Sequence, residues 1–546
     1  MVGGGITGAT TAVLLARAGL RVALFEARHI GAAATGNTTA KLSVLQGTRL
    51  STISRKQSAD TVRAYVDANL EGQRWLLAFL RDKGVAHQVQ TAYTYAQSAD
   101  GDKTVEEELR AARRVDLPVR HIARLDVPFP ARSAVALDDQ AQFDPMDVLA
   151  ALIADAVAHG ADIYENTRVV TVRRRHGDQV LHTAQGEVRA QSVVLATGTP
   201  ILDRGAFFAR LHPQRSYAAA FDVSEPLAEG MYLAVDKPSR SLRTTPGESG
   251  PLLLTGGAGH TVGRARSERA LVDDLIDWTT KHFPTARLRA RWSAQDYTPI
   301  DELPFVGQLA PGYGDIQVAT GFAKWGMTNG VAAALSMSGR ILGNAPQWAP
   351  VFDPSRPKQL FGLPTAAVIN SEVGFEMAKG WAGTALRSLL PGGETPPEGQ
   401  GVVRRHGARP VGVCTVDGAQ HSVSAVCPHL FGILEWNDAE RSWDCPLHGP
   451  IQLRRGTSRR TDHAVASPTR LSRITGRTKG DATLQESCVP DTYFDSSMAT
   501  KRPSRCVSPS CTATREVSVC RTCQPKPCCT NALSAGNQDR MIAWNF

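Results

Sequence analysis

The chain has 546 residues, more than one hydrophobic core usually organises, so two or three domains are expected. A hydrophobic share of 42% with 6% aromatics fits neither a fibrous nor a membrane class, no apolar run approaches the ~18 residues of a membrane span, and the N-terminus lacks a signal-type pattern, so the protein reads as cytoplasmic with no membrane span. The net charge of +9 belongs to the tail: residues 450–546 carry 15 of the 61 Lys+Arg and 7 of the 52 Asp+Glu, which leaves a nearly neutral body and no case for nucleic acid.

Met1-Val2, the glycine run Gly3-Gly4-Gly5-Ile6-Thr7-Gly8 and an Ala/Leu-rich stretch to Gly19 predict strand end, turn and helix. Residues 21–26, Arg-Val-Ala-Leu-Phe-Glu, predict the next strand and complete a βαβ unit. Residues 55–115 read as mostly helical and 117–140 as Pro-interrupted, and Asp144-Pro145 opens a helix reaching about His159. Strands are expected at 162–164, 169–172 and 192–196. Residues 215–300 alternate strands with one helix, and a strand at 316–319 leads through glycines into a helix near Thr328. Residues 390–400 have linker composition, and short strands with turn signals follow.

Two motifs carry chemistry. In Gly3-x-Gly5-x-x-Gly8 the first glycine permits a tight turn, the second lets backbone amides approach a pyrophosphate, and the third allows close helix packing. Ile6 and Thr7 open the helix, and Glu26, followed by Ala27 and Arg28, can accept hydrogen bonds from a ribose. Nicotinamide and flavin dinucleotides share this fingerprint. Thr255-Gly256-Gly257-Ala258-Gly259 lacks a surrounding βαβ unit and reads as a glycine turn after a strand at 252–254. The second motif is Cys427-x-His429, fifteen residues, then Cys445-x-x-His448, the spacing of Rieske [2Fe-2S] ligation, with tetrahedral zinc as the competing metal. Only Cys414, Cys427 and Cys445 precede the tail, so the body has no disulfide framework.

The glycine motif, residues 31–41 (Gly-Ala-Ala-Ala-Thr-Gly-Asn-Thr-Thr-Ala-Lys), residues 193–198 (Val-Val-Leu-Ala-Thr-Gly) and residues 319–330 (Ala-Thr-Gly-Phe-Ala-Lys-Trp-Gly-Met-Thr-Asn-Gly) together resemble the FAD-dependent D-amino-acid oxidase and glycine oxidase superfamily. With residues 291–297 (Arg-Trp-Ser-Ala-Gln-Asp-Tyr) they resemble its branch bearing a C-terminal Rieske domain. The resemblance implies a Rossmann-type α/β FAD-binding domain over 1–80, 140–214 and 301–345, and an α+β substrate domain over 81–139 and 215–300. A helical connection and linker at 346–400, a truncated all-β Rieske domain at 401–449 and a disordered tail at 450–546 complete it. Thr38 and Thr39 are expected beside the flavin, Val169, Ala196, Thr197 and Gly198 near the adenosine and pyrophosphate, and Gly326, Met327 and Thr328 at a helix start facing the isoalloxazine. Such a helix start would stabilise negative charge on the flavin.

The implied activity is oxidation of a C–N bond of an amino acid or amine, with electrons passing to the cluster, to an acceptor protein or to dioxygen; the alternative is an electron-transfer module reduced by a partner protein. Arg243 is the candidate partner of a substrate carboxylate and Lys324 a candidate beside the flavin. Where some Rieske domains carry an extra cysteine pair, this chain has Gly432 and Leu447.

Two departures stand out. The chain begins almost at the glycines, so the central strand is nearly missing, which a valine codon read as initiator Met1 would explain. After Gly449 the composition turns to Ser, Thr, Arg and Cys, as a frameshift would produce: codons for Pro450-Ile451-Gln452 read in another frame as Arg-Phe-Ser, which a Rieske domain calls for. The alternatives are a genuine tail with Cys520, Cys523, Cys528 and Cys529 as zinc ligands or basic residues on nucleic acid, and a damaged product without function.

Overall fold

The computed structural model describes residues 1–451 except 203, 248–249, 314, 357–394, 408, 428–430 and 447–448, with backbone alone at 449–451. Most of the expected linker, His429, His448 and the tail lie outside the described residues.

The N-terminal unit forms as its pattern predicts. Helix Ile6–Arg17 starts at Gly5 with no acid in its first turn. Val2 bridges Phe25 on one side and Leu195 on the other, both parallel, so the central strand is a single bridged residue. Around it run Asp162–Tyr164, Ala23–Phe25, Val193–Leu195 and Ile316–Thr320 in parallel, with Phe305–Gln308 antiparallel at the edge. Val193, Val194, Leu195 and Val318 are all buried, as a parallel sheet covered on both faces requires.

Helix Pro145–Ala158 begins at Asp144, whose carboxylate accepts the Met146 amide at 2.8 Å. Val13, Leu80, Leu152 and Val331 join this helix, Ile6–Arg17, Ala59–Lys83 and Gly326–Leu342 in one apolar cluster. Asp155 pins three of the four: it receives Arg17 at 2.7 Å and Lys83 at 2.8 Å while only 3% exposed. The Arg17 hydrogen bond, helped by Lys83, holds its carboxyl down at about 2 against the opposing effect of burial. Asp155→Asn is expected to cost about 1–2 kcal/mol, discounted because both cations are a third exposed. The depressed pKa means this contribution is full above the ordinary aspartate value and lost as pH falls through about 2; urea unfolding of the two proteins at pH 7 checks the magnitude.

The second sheet has nine strands, in the order Arg287–Pro299, Leu211–Asp222, Leu252–Thr261, Arg240–Thr245, Met231–Ala234, His87–Tyr95, Ala134–Phe143 and Lys41–Leu42, with Arg120–Ile122 also beside Ala134–Phe143. Two elements differ from expectation. His87–Tyr95 is a strand inside the stretch read as helical, because His-Gln-Val-Gln-Thr-Ala-Tyr-Thr-Tyr alternates with period two and is rich in β-formers. Residues 255–259 are not a turn but the middle of strand Leu252–Thr261, where a Cβ on Gly257 would come within 2.6 Å of the Ser239 carbonyl.

The strand register separates two faces of this sheet. Arg215, Tyr217, Arg240 and Leu242 point to the back, towards helix Glu268–His282. Ser216, Ala218, Ser241, Arg243, Gly256, Trp292, Ala294 and Asp296 point to the front, towards the dinucleotide unit.

The C-terminal residues form two three-stranded antiparallel sheets, Gly401–His406 with Arg409–Val416 and Ala419–Ser424, and Glu435–Asn437 with Ser442–Cys445 and Gly449–Ile451. This small module rests on the back face. Arg215 pairs with Asp444 at 2.6 Å with both side chains buried, and the Asp438 carboxylate accepts Ser267 Oγ at 2.7 Å and the Arg269 amide at 2.9 Å. Among the described residues no helix is long and apolar enough to cross a membrane.

Candidate active site and dinucleotide cleft

The glycine motif is a three-way crossing of backbone. A Cβ on Gly3 would come within 2.3 Å of the Ala196 carbonyl, and one on Gly8 within 2.0 Å of the Gly3 carbonyl, so the turn, the helix and the 196–198 loop touch only because side chains are missing. Gly3 also holds φ +105°, a conformation open to glycine. Thr35 Oγ1 accepts the Ile6 amide at 3.1 Å, while Thr7 and Gly8 follow in the first turn. Glu26 stands at the end of its strand with its carboxylate accepting the Gly4 amide at 2.8 Å and the Arg28 amide at 3.0 Å; Ala27 lies between. These residues fit a dinucleotide: a side-chain-free cradle, a helix N-terminus aimed into it and an acid beside it.

The other residues expected at the cofactor are each held by local contacts. Thr38 Oγ1 accepts the Ala40 amide at 3.1 Å, and the Thr39 carbonyl accepts the Arg243 guanidinium. Val169 is buried at a strand start, and Thr197 Oγ1 donates to the Thr199 carbonyl at 2.6 Å. Gly198, at φ +76°, has its carbonyl held by Thr320 Oγ1. Helix Gly326–Leu342 starts without a side-chain cap, and a Cβ on Gly330 would come within 2.7 Å of Thr7 Oγ1, so its first turns pack on those of Ile6–Arg17. Met327 points into the core, which leaves its backbone to the cleft.

A buried polar network unforeseen from sequence fixes that helix start. Gln46 Nε2 donates to Thr328 Oγ1 at 2.9 Å and Asn69 Oδ1 at 3.0 Å, Tyr65 OH donates to Gln46 Oε1 at 2.5 Å, and Asn69 Nδ2 reaches Asn329 Oδ1 at 3.2 Å. Its members are scattered over the chain, and no local pattern joins them.

The two basic candidates occupy different settings. Arg243 is 3% exposed, with its N–H groups directed at the carbonyls of Thr39, Thr244 and Phe143; burial pushes it down to about 10. Lys324 is exposed to the cleft, its Nζ donating to Ser216 Oγ at 2.7 Å. Its backbone is in the left-handed region, φ +73° after Ala323 at +47°, a strained turn of the sort that aims a functional side chain. Two more charged groups join them. Burial, with repulsion from Arg243, lowers Lys41 to about 7, and its Nζ donates to Tyr232 O and Ser241 Oγ, each at 2.7 Å. Burial raises Asp296 to about 6, with the Lys324 charge and backbone amide, and Arg49, opposing.

In the C-terminal module Cys427 and Cys445 are fully buried in one apolar cluster with Cys414, Leu434 and Trp443. The two described thiols fit a cluster ligand set; the two imidazoles, His429 and His448, lie outside the described residues. The Cys445 loop abuts the nine-stranded sheet just past strand Leu252–Thr261, since a Cβ on Gly263 would come within 2.9 Å of Pro446 Cα.

Comparison with known proteins agrees with this architecture. Residues 1–339 match the FAD dependent oxidoreductase family, DAO. YhfW of Bacillus subtilis (strain 168), which bears the description Rieske 2Fe-2S iron-sulfur protein, is 30% identical over 459 residues, covering 82% of this chain and 88% of that one. Glycine oxidase from Geobacillus kaustophilus superposes with a TM-score of 0.56 at 22% identity, over 65% of this chain and 97% of that one. L-proline dehydrogenase from P. horikoshii does so with a TM-score of 0.54 at 18% identity, over 65% and 96%. Likeness at these identities speaks for the fold, and the family match for the cofactor and the type of enzyme: the chain belongs to the DAO family of FAD-dependent oxidoreductases.

Proposed function

We propose that the enzyme oxidises a C–N bond of an amino acid or a related amine held between the flavin and the front of the substrate sheet. The observation that carries this is the charge set on that face: Lys324 and Lys41 to take a carboxylate, and Asp296, partly buried, to take an ammonium. When bound, FAD supplies the acceptor for the hydride leaving the carbon that bears nitrogen. The chain's own part is positioning and charge. Arg243 holds Thr39 in place, the Gln46–Thr328 bond fixes the helix start, and Trp292, whose Nε1 donates to the Asn37 carbonyl at 2.8 Å, closes one side.

For the onward path of electrons we favour a Rieske-type [2Fe-2S] cluster in the C-terminal module over dioxygen; such a cluster takes one electron at a time. The Cys427/Cys445 spacing, the description of YhfW and the placement of the module support this reading. Tyr297 lies beside the dinucleotide loop: its ring is 3.8 Å from where a Cβ on Gly198 would sit, and its hydroxyl accepts Gln295 Nε2 at 2.9 Å.

Anaerobic titration of the FAD-loaded protein with a panel of amino acids and amines is the test. Bleaching of the flavin band by a member of the panel is expected, and reduction by a reduced ferredoxin alone would instead identify an electron-transfer module. Asp296→Asn is expected to raise the KM of that substrate at least tenfold, and in the parent protein affinity should fall as pH drops through about 6, where Asp296 takes up its proton and loses its charge.

A further inference from the structure

We propose that the cleft selects a dicarboxylic amino or imino acid, one carboxylate on Lys41 and the other on Lys324, at opposite ends of a floor made of small side chains. This rests on the amino-acid reading above and narrows it to a substrate class.

The floor is defined by strand register. Ser241 faces Gly256, Gly256 faces Ala218, and Ser216 lies two residues further along the same strand as Ala218. Ser241 and Ser216, at the two ends, keep partial solvent access, whereas Gly256 and Ala218 between them are buried. A Cβ on Gly256 would meet nothing closer than Ser241 Cβ at 3.6 Å, so the neighbouring strands do not demand glycine there.

Each lysine is fastened to one end of that floor. Lys41 comes from the dinucleotide side and donates to Ser241 Oγ at 2.7 Å; Lys324 comes from the strained turn and donates to Ser216 Oγ at 2.7 Å. A Cβ on Gly259 would lie 2.8 Å from Lys324 Nζ, so glycine at 259 preserves the second position. Two strands across at ~4.8 Å and two residues along at ~3.3 Å separate the serine Cα atoms by about 12 Å. Each ammonium lies within about 5 Å of its serine Cα, so the ammonium separations open to the pair include the roughly 13 Å of a five-carbon diacid with a carboxylate oxygen about 2.8 Å from each.

Charge points the same way. Lys41 has neutral acceptors in Ser241 and Tyr232 and a second cation, Arg243, beside it, and among the described residues it makes no ion pair. A carboxylate would complete it. Asp296 faces Gln214, one strand across from Ser216 and two residues further from Ser241, and supplies an anion for an amine at the Lys324 end. Two cations and one anion complement an aspartate-, glutamate- or iminodiacid-like molecule better than a neutral amino acid.

The test uses non-oxidisable probes on the FAD-loaded full chain, read as perturbation of the oxidised flavin spectrum, so it does not depend on turnover. Glutarate is expected to bind at least tenfold more tightly than butyrate. Lys41→Met and Lys324→Met should each bring glutarate to the butyrate level, and Lys41→Arg should restore part of the difference. Equal affinity of glutarate and butyrate in the parent protein overturns the proposal even if a variant fails to fold, and so does a folded Lys324→Met protein that keeps the preference. If neutral amino acids bleach the flavin but glutarate shows no advantage, the substrate class is wrong and the oxidase reading stands. If glutarate binds as expected and no amine bleaches, the cleft assignment stands and the oxidase reading falls.

Discussion

Replacing Arg215 by methionine is expected to loosen the C-terminal module from the enzyme body at a cost of about 3–5 kcal/mol, the range for breaking a buried pair and leaving its partner charged. Asp444, 1% exposed, would keep the Asn437 Nδ2 donor at 3.1 Å and the Ser442 hydroxyl at 3.1 Å but lose its only cation among the described contacts. Asn437 Nδ2 meets Tyr217 OH at 3.2 Å, and Asp438 ties the start of helix Glu268–His282, but those bonds are neutral or partly exposed. Hydrogen exchange reads the result: amides of 435–445 should lose protection while those of strand Ile316–Thr320 keep it. Undiminished protection in the variant would mean that apolar contacts alone hold the module. Pairing Arg215→Met with Asp444→Leu should recover much of the loss, since removing both charges avoids the uncompensated one.

Gly8→Val is expected to abolish FAD retention, lowering the flavin-to-protein ratio at least tenfold after purification. Its Cβ would meet the Gly3 carbonyl at 2.0 Å, and backbone cannot yield as a side-chain tip can. Either the helix start moves away from the turn or the turn opens, and both carry the first-turn amides off the pyrophosphate position. Gly177→Ala is the control. Gly177 holds φ +93° with nothing within 4 Å of its Cβ position, so it should cost about 1–2 kcal/mol in backbone strain and leave FAD content unchanged. Equal FAD loss in both variants would show that general destabilisation, and not the crossing at Gly3 and Gly8, controls binding.

The parts of this fold that sequence conveyed are those written locally. Asp144-Pro145 marks a helix start because an acid cap and a fixed φ act within three residues, and the glycine motif is legible because each glycine answers a local steric demand. Strand His87–Tyr95 was hidden between two helices, where a nine-residue alternation is easily absorbed into its neighbours. Gly256 and Gly257 resemble a turn in isolation, and only their pairing with Ser241 and Arg240 places them inside a strand, where the Ser239 carbonyl crowds Gly257. The charge set of the cleft was least legible. Lys41 stood within a recognised motif, yet its burial and its approach to Ser241 depend on contacts 200 residues apart. Arg243 and Lys324 look alike in sequence, and the fold turns one towards backbone carbonyls and the other towards the cleft.

The central claim is most directly tested by single-turnover product analysis. The FAD-loaded protein is mixed anaerobically with an α-amino acid or imino acid and quenched, and the products are counted against the flavin reduced. One equivalent of oxo acid and one of released amine or ammonia per flavin are predicted, because hydride loss from the carbon bearing nitrogen leaves an imine that water hydrolyses. Flavin that is reduced by a protein donor while every amino acid tested is recovered intact would contradict it.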